Sequence, residues 1–113
     1  MIDHERRRHP RYPVKMPVTV THEEESFTVL VKDICREAVF VEIQRVLPLG
    51  TEVTVTFGLP GKDGPLQVGG RVVRVVAREE PGGPGIAILF NTMTPAAEVR
   101  LDFFISLQSG TPA

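Results

Sequence analysis

The stretch ERRRHPRYPV, beginning at Glu5, sets Arg6, Arg7, Arg8 and Arg11 within ten residues. Guanidinium groups are planar forks of donors that suit anions, above all phosphate and carboxylate. Crowded in this way they define a local anion site, with Lys15 adding to it and Asp3 and Glu5 offsetting it only in part. The formal net charge is −1, so the attraction is confined to this stretch, while Glu23, Glu24 and Glu25 gather negative charge elsewhere. Pro10, Pro13 and Pro17 lack an amide donor and push each preceding residue toward extended backbone. The prediction is a basic, extended arm over residues 1–13 rather than a charged helix.

The other residue types that carry chemistry are poorly arranged for catalysis. His4, His9 and His22 have no metal-ligand spacing, and Cys35, the only cysteine, has neither a CxxC partner nor a disulfide partner. Ser26, Ser106 and Ser109 lack a nucleophile-elbow context, and Glu79 and Glu80 sit in a turn where solvated carboxylates are ordinary. The GG and GPG elements lack the lysine and following helix of a phosphate loop. The expectation is a non-enzyme without a metal or a cofactor.

What must position the arm is a single domain. The 113 residues suffice for one core, and 42% hydrophobic against 24% charged is the balance of a globular protein. With no apolar run of spanning length and a charged N-terminus, the chain reads as cytoplasmic, with no membrane insertion. VTVT, FTVLVKDI, AVFVEI, TEVTVTF, LQVGGRVVRVVA and GIAILF are short β-rich runs separated by Gly/Pro clusters, the pattern of an all-β barrel or sandwich. Gly69 and Gly70 predict a bulge or close backbone approach. The six phenylalanines and the single tyrosine fall mostly at core-like positions, so the strands show no exposed stacking platform.

The period then changes. In TPAAEVRLDFFISL, Thr94 suits an N-cap, Pro95 the first helical position and Glu98 the positive end of the dipole. Helical spacing aligns Ala96, Val99, Phe103 and Leu107 on one stripe and Ala97, Leu101, Phe104 and Ile105 on another. That is more apolar surface than docking on one sheet requires. The helix is expected to plug the barrel mouth, and its spare side to meet another protein or a second copy of the chain as a homodimer. Residues 14–108 thus form the barrel with its helix, and 109–113 a tail.

Taken together, RRxxxR before a first strand, a D-x-S-x-x-G-like turn, the hairpin LPLGTEVTVTFGLPG, the strand VGGRVVRVV and a final helix resemble the PilZ domains of bacteria. The likeness runs from about residue 5 to residue 107. It implies a six-stranded antiparallel PilZ-type β-barrel with an N-terminal basic arm and a C-terminal α-helix, serving as a receptor for the second messenger cyclic di-GMP. The implied ligand residues are Arg6, Arg7 and Arg11 of the arm and Asp33, Cys35 and Ala38 of the turn. Guanidinium forks match phosphodiesters and the N7 and O6 acceptors of guanine, and Asp33 suits the N1 and N2 donors.

The turn reads Asp33-Ile34-Cys35-Arg36-Glu37-Ala38, with cysteine for the family serine and alanine for its glycine. A weak thiol costs roughly one hydrogen bond, about 1 kcal/mol. Ala38 matters more if the backbone there needs a positive φ or if a base lies against it. Two functions therefore stand: a cyclic di-GMP receptor that relays to an unidentified protein effector, and a degenerate adaptor that binds no nucleotide and acts through protein contacts. Direct nucleic-acid binding is disfavoured by the near-zero charge.

Overall fold

The computed structural model describes residues 12–13, 16–44, 47–58 and 64–109. Its elements are β1 (Tyr12–Pro13), β2 (Pro17–His22), β3 (Glu25–Ile34), β4 (Ala38–Glu42), β5 (Glu52–Phe57), β6 (Leu66–Val76), β7 (Gly85–Thr92) and α1 (Pro95–Ser109). All strand pairings are antiparallel, in the order β1-β3-β2-β5-β6-β7-β4, and a further β3–β4 pairing joins the ends. Strands β2 to β7 therefore close into a six-stranded barrel. The short β1 pairs with β3 at Ile34 and Asp33, just past the point where β2 stops at Leu30.

Closure follows from the period-two pattern read off the sequence. Val18 and Val20, Val29 and Val31, Val39 and Val41, Val53, Val55 and Phe57, and Ile86 and Ile88 all point into one core. Most are β-branched residues, which suit a pleated surface buried on one side. The β2–β3 hairpin turns through Glu23 and Glu24, with Glu23 at φ 56°. The loop before β5 turns at Gly50, whose φ of 87° is a conformation that glycine adopts without strain. Its amide donates to the carbonyl of Val72 at 2.7 Å.

The ladders shift register at three places: the extra residue is Lys32 in β3, Val73 in β6 and, opposite Gly69 and Gly70, Asn91 in β7. The glycine pair was legible in the sequence; the other two shifts were not. Gly70 sits so close to β7 that a Cβ there would lie 2.7 Å from Ile88 Cγ2 and from Leu89 O.

The chain leaves β7 for α1 through Met93 and Thr94. Thr94 Oγ1 accepts the Ala97 amide at 3.1 Å, so the predicted N-cap is formed. Ala97, Leu101, Phe104 and Ile105 join the barrel core, while Val99, Phe103 and Leu107 stay exposed at 68%, 63% and 58%. Both predicted stripes exist, and only one is covered. Among the described residues no helix is long and apolar enough to cross a membrane.

Candidate functional site

The bulge in β3 decides what faces outward. Inward residues run Val29, Val31 and then Ile34. The extra residue at Lys32 shifts the phase by one, so Ile34 enters the core and Asp33 turns to the outer wall. Without it the carboxylate would face the apolar interior. Asp33 is half-buried with its Oδ1 closed to solvent, opposite Phe40 on β4 and Pro13 on β1.

The turn from β3 to β4 is held from both sides. The Cys35 amide donates to Ala38 O at 2.9 Å, and the Glu37 amide donates to Cys35 Sγ at 3.4 Å. The buried sulfur accepts the amide two residues on, the bond with which a serine hydroxyl at this place closes such a turn. The Phe90 amide of β7 donates to Glu37 O at 2.8 Å. Ala38 is the first residue of β4, and among the described residues Glu23 alone of the non-glycines has a positive φ. The exchange of glycine for alanine therefore costs no backbone strain, and what remains of it is a methyl on the outer wall.

That wall can be read from the ladders. Ala38 and Phe40 alternate with core residues and so face out, and they pair with Leu89 and Ala87 of β7. Those two pair in turn with Arg71 and Arg74 of β6. An apolar strip thus runs over β4 and β7, with arginines along one side and Lys32 and Asp33 along the other. Phe40 lies against Gly85, where a Cβ would come within 2.6 Å of Phe40 Cζ. Lys32 Nζ donates to Gly82 O at 2.9 Å and sits 5.9 Å from the centre of the Phe40 ring, within cation–π range. Lys32, Asp33, Phe40, Arg74, Val76, Pro81 and Gly82 enclose a recess of about 310 Å³.

The turn also reaches the helix. Arg36 Nε lies 2.7 Å from Asp102 Oδ1 of α1. A larger cleft of about 690 Å³ opens between the turn, β7 and α1, with Glu37, Asn91 and Glu98 along it. Among the described residues no cluster of His, Cys, Asp and Glu is suited to a metal ion.

The structure brings Asp33, Cys35 and Ala38 together on one strand–turn–strand unit. Arg6, Arg7, Arg8 and Arg11 lie outside the described residues, as do His4 and His9. Sequence reasoning missed Lys32, Phe40 and Arg74. Phe57 and Phe104 are core residues as expected, and Phe27 and Phe90 pack against the core. Phe40 and Phe103 correct that expectation: one lies on the outer wall and the other is exposed on α1. The signal for Phe40 was present in AVFVE, where it shares a face with Glu42 rather than with Val39 and Val41. Arg71 and Arg74, three apart in a strand, share an outer face only because of a bulge that leaves no sequence mark.

A closed antiparallel barrel with Asp33 on its outer wall and a helix folded into its core defines a compact β-barrel domain with a single C-terminal helix. The chain belongs to the PilZ domain family, whose model matches residues 5–106. Solved structures of similar fold include the Bacillus subtilis inhibitor of motility MotI/DgrA, with TM-score 0.75 and 15% identity over 95% of this chain and 53% of that one. The PilZ domain of YcgR from Escherichia coli, solved with c-di-GMP, gives TM-score 0.70 and 15% identity over 91% of each chain. MrkH from K. pneumonia, in complex with c-di-GMP, gives TM-score 0.68 and 14% identity over 90% of this chain and 52% of that one. The chain thus spans about half the length of MotI and of MrkH. No curated protein sequence matches it.

Proposed function

We propose that this chain is a cyclic di-GMP receptor whose basic arm folds over a ligand held on the outer barrel wall and whose helix passes the event to a protein effector. The observation that carries the reading is the outward turn of Asp33 by the β3 bulge, onto a wall floored by Phe40 and edged by cations. A carboxylate there can accept from N1 and N2 of a guanine. The ladder supports the arm's part: Tyr12 pairs with Ile34 and Pro13 with Asp33, and Arg11 is bonded to Tyr12. Arg7 and Arg11, with Arg6 beside them, supply the positive charge that two phosphodiesters require. The two related complexes with c-di-GMP lend the ligand's identity. The domain's task on this reading is binding, not catalysis.

The output route is the contact between Arg36 and Asp102, which joins the turn to α1. A change in the turn reaches the helix through that pair, and the exposed stripe of Val99, Phe103 and Leu107 is the surface an effector meets.

One observation favours the adaptor reading instead: the Ala38 methyl stands on the wall where the ligand would lie. Titration calorimetry with cyclic di-GMP decides between them. The receptor reading expects saturable heat with the wild-type chain, and affinity lowered roughly ten- to hundredfold by Arg7→Ala or Arg11→Ala. Ala38→Gly is expected to tighten binding. No heat at high micromolar ligand, in the wild type and in Ala38→Gly alike, hands the case to the adaptor.

A further inference from the structure

The cleft of about 690 Å³ between the β3–β4 turn, β7 and α1 has the make-up of a trough for a cationic chain. Its floor is apolar, with Leu89, Met93 and Leu101, and its rim carries the carboxylates of Glu37, Glu98 and Asp102. Arg36 is the one cation among the described lining residues, and it is committed to Asp102. Three carboxylates against one guanidinium leave an excess of two negative charges around the opening.

The register of β1 leads the most basic segment of the sequence to this cleft. Tyr12 pairs with Ile34 and Pro13 with Asp33, antiparallel, so toward lower numbers the ladder heads from Tyr12 past Cys35 to Arg36 and Glu37. On its other side β1 touches α1, whose Glu98 and Asp102 form the far rim. At about 3.3 Å per extended residue, Arg8 can reach about 13 Å beyond Tyr12 and Arg6 about 20 Å, enough to pass the turn and lie along the cleft.

We propose that this cleft is the resting dock of the chain's own arm, with Arg6, Arg7 and Arg8 lying across it when no ligand is bound. Guanidinium forks close on the rim carboxylates, while the aliphatic stems of the same side chains cover Leu89, Met93 and Leu101. Several cations of the barrel and helix are engaged elsewhere: Lys32 with the carbonyl of Gly82, Arg78 with Gln44 and Arg100 with the carbonyl of Gly64. The dock needs no nucleotide and stands apart from the receptor reading. On that reading, the same arginines must leave the cleft to reach a ligand, so cleft and ligand compete for one arm.

Limited trypsin digestion of the full chain tests the dock, with cleavage after Arg6, Arg7 and Arg8 followed by mass spectrometry and rates taken relative to a free peptide of residues 1–15. Circular-dichroism melting of each variant is the folding control. The double variant Glu37→Gln/Glu98→Gln is expected to be cut roughly fivefold faster than the wild type, at a melting temperature within a few degrees of it. Glu24→Gln/Glu79→Gln, which removes the same charge outside the cleft, leaves the rate within about twofold. Raising salt from about 50 to about 500 mM speeds cleavage of the wild type as the cleft variant does, because exposed ion pairs are screened. Equal rates in the wild type and the cleft variant, or a wild type cut as fast as the free peptide, overturn the dock. Protection that disappears on dilution overturns it too, since the arm in the cleft then belongs to a second copy. In calorimetry the cleft variant is expected to bind cyclic di-GMP roughly fivefold more tightly than the wild type, the docked arm being the competitor it has lost. A chain that binds no cyclic di-GMP while the cleavage pattern holds overturns the receptor reading alone.

Discussion

Cys35 shows how a departure from a family pattern keeps its structural half. The serine of the D-x-S-x-x-G pattern is replaced by a sulfur that still accepts the Glu37 amide, at the longer distance sulfur requires. The turn needs an acceptor; the ligand, on the receptor reading, needs a donor, and there the thiol is the weaker group. Cys35→Ser is therefore expected to leave thermal stability within about 1 kcal/mol, since one acceptor replaces another. It should tighten cyclic di-GMP severalfold by calorimetry; unchanged affinity would mean that the side chain serves the turn alone. At this scale the sequence was informative about residue type and poor about direction. Asp33, Cys35 and Ala38 came from the resemblance to the family's D-x-S-x-x-G pattern, which can be matched because a turn motif is local and its residues lie within six positions of the chain. Arg74 and Phe40 were not, because their partnership is made by ladders between strands far apart in the chain.

Among the elements, β3 carries the largest consequence from the smallest irregularity. Period-two alternation identified each strand, since the buried set is written in the sequence as valines and isoleucines two apart. A bulge erases itself from that record: VLVKDI reads as one continuous strand, although its phase changes at Lys32. Deleting Lys32 restores the phase and directs Asp33 toward the core, where an ionised carboxylate would meet only apolar side chains and no polar partner. The expected result is a loss of at least about 3 kcal/mol in urea unfolding, in contrast to Lys32→Ala, which removes only the contacts to Gly82 and Phe40. Equal stability of the two variants would show that the bulge does not set the direction of Asp33. The helix was legible to its cap, because Thr94, Pro95 and Glu98 form a local signal at fixed offsets.

For the molecule as a whole, α1 is two-faced: one face packs in the barrel core, and the other is exposed and, on the receptor reading, meets the effector. Phe104 is 7% exposed within the barrel core, whereas Phe103, its chain neighbour, is 63% exposed. Phe104→Ala is expected to cost about 3 to 5 kcal/mol in denaturant unfolding. Phe103→Asp should stay within about 0.5 kcal/mol of the wild type while abolishing capture of the effector in a pull-down with nucleotide present. The opposite pattern would reverse the assignment of the faces. Closure of the barrel, by contrast, could not be read residue by residue: it depends on the return pairing of β4 with β3, which the strand pattern leaves equal to a sandwich. Barrel and helix meet on their polar side through Arg36 and Asp102, whose side chains are 51% and 42% exposed. Charges so open to water feel the surrounding ions, and their attraction fades over a Debye length of about 8 Å at physiological salt. Whatever strain the turn exerts on α1 along this line is thus dimmed in concentrated electrolyte and sharpened in dilute, a dial that the apolar contacts between helix and barrel do not share.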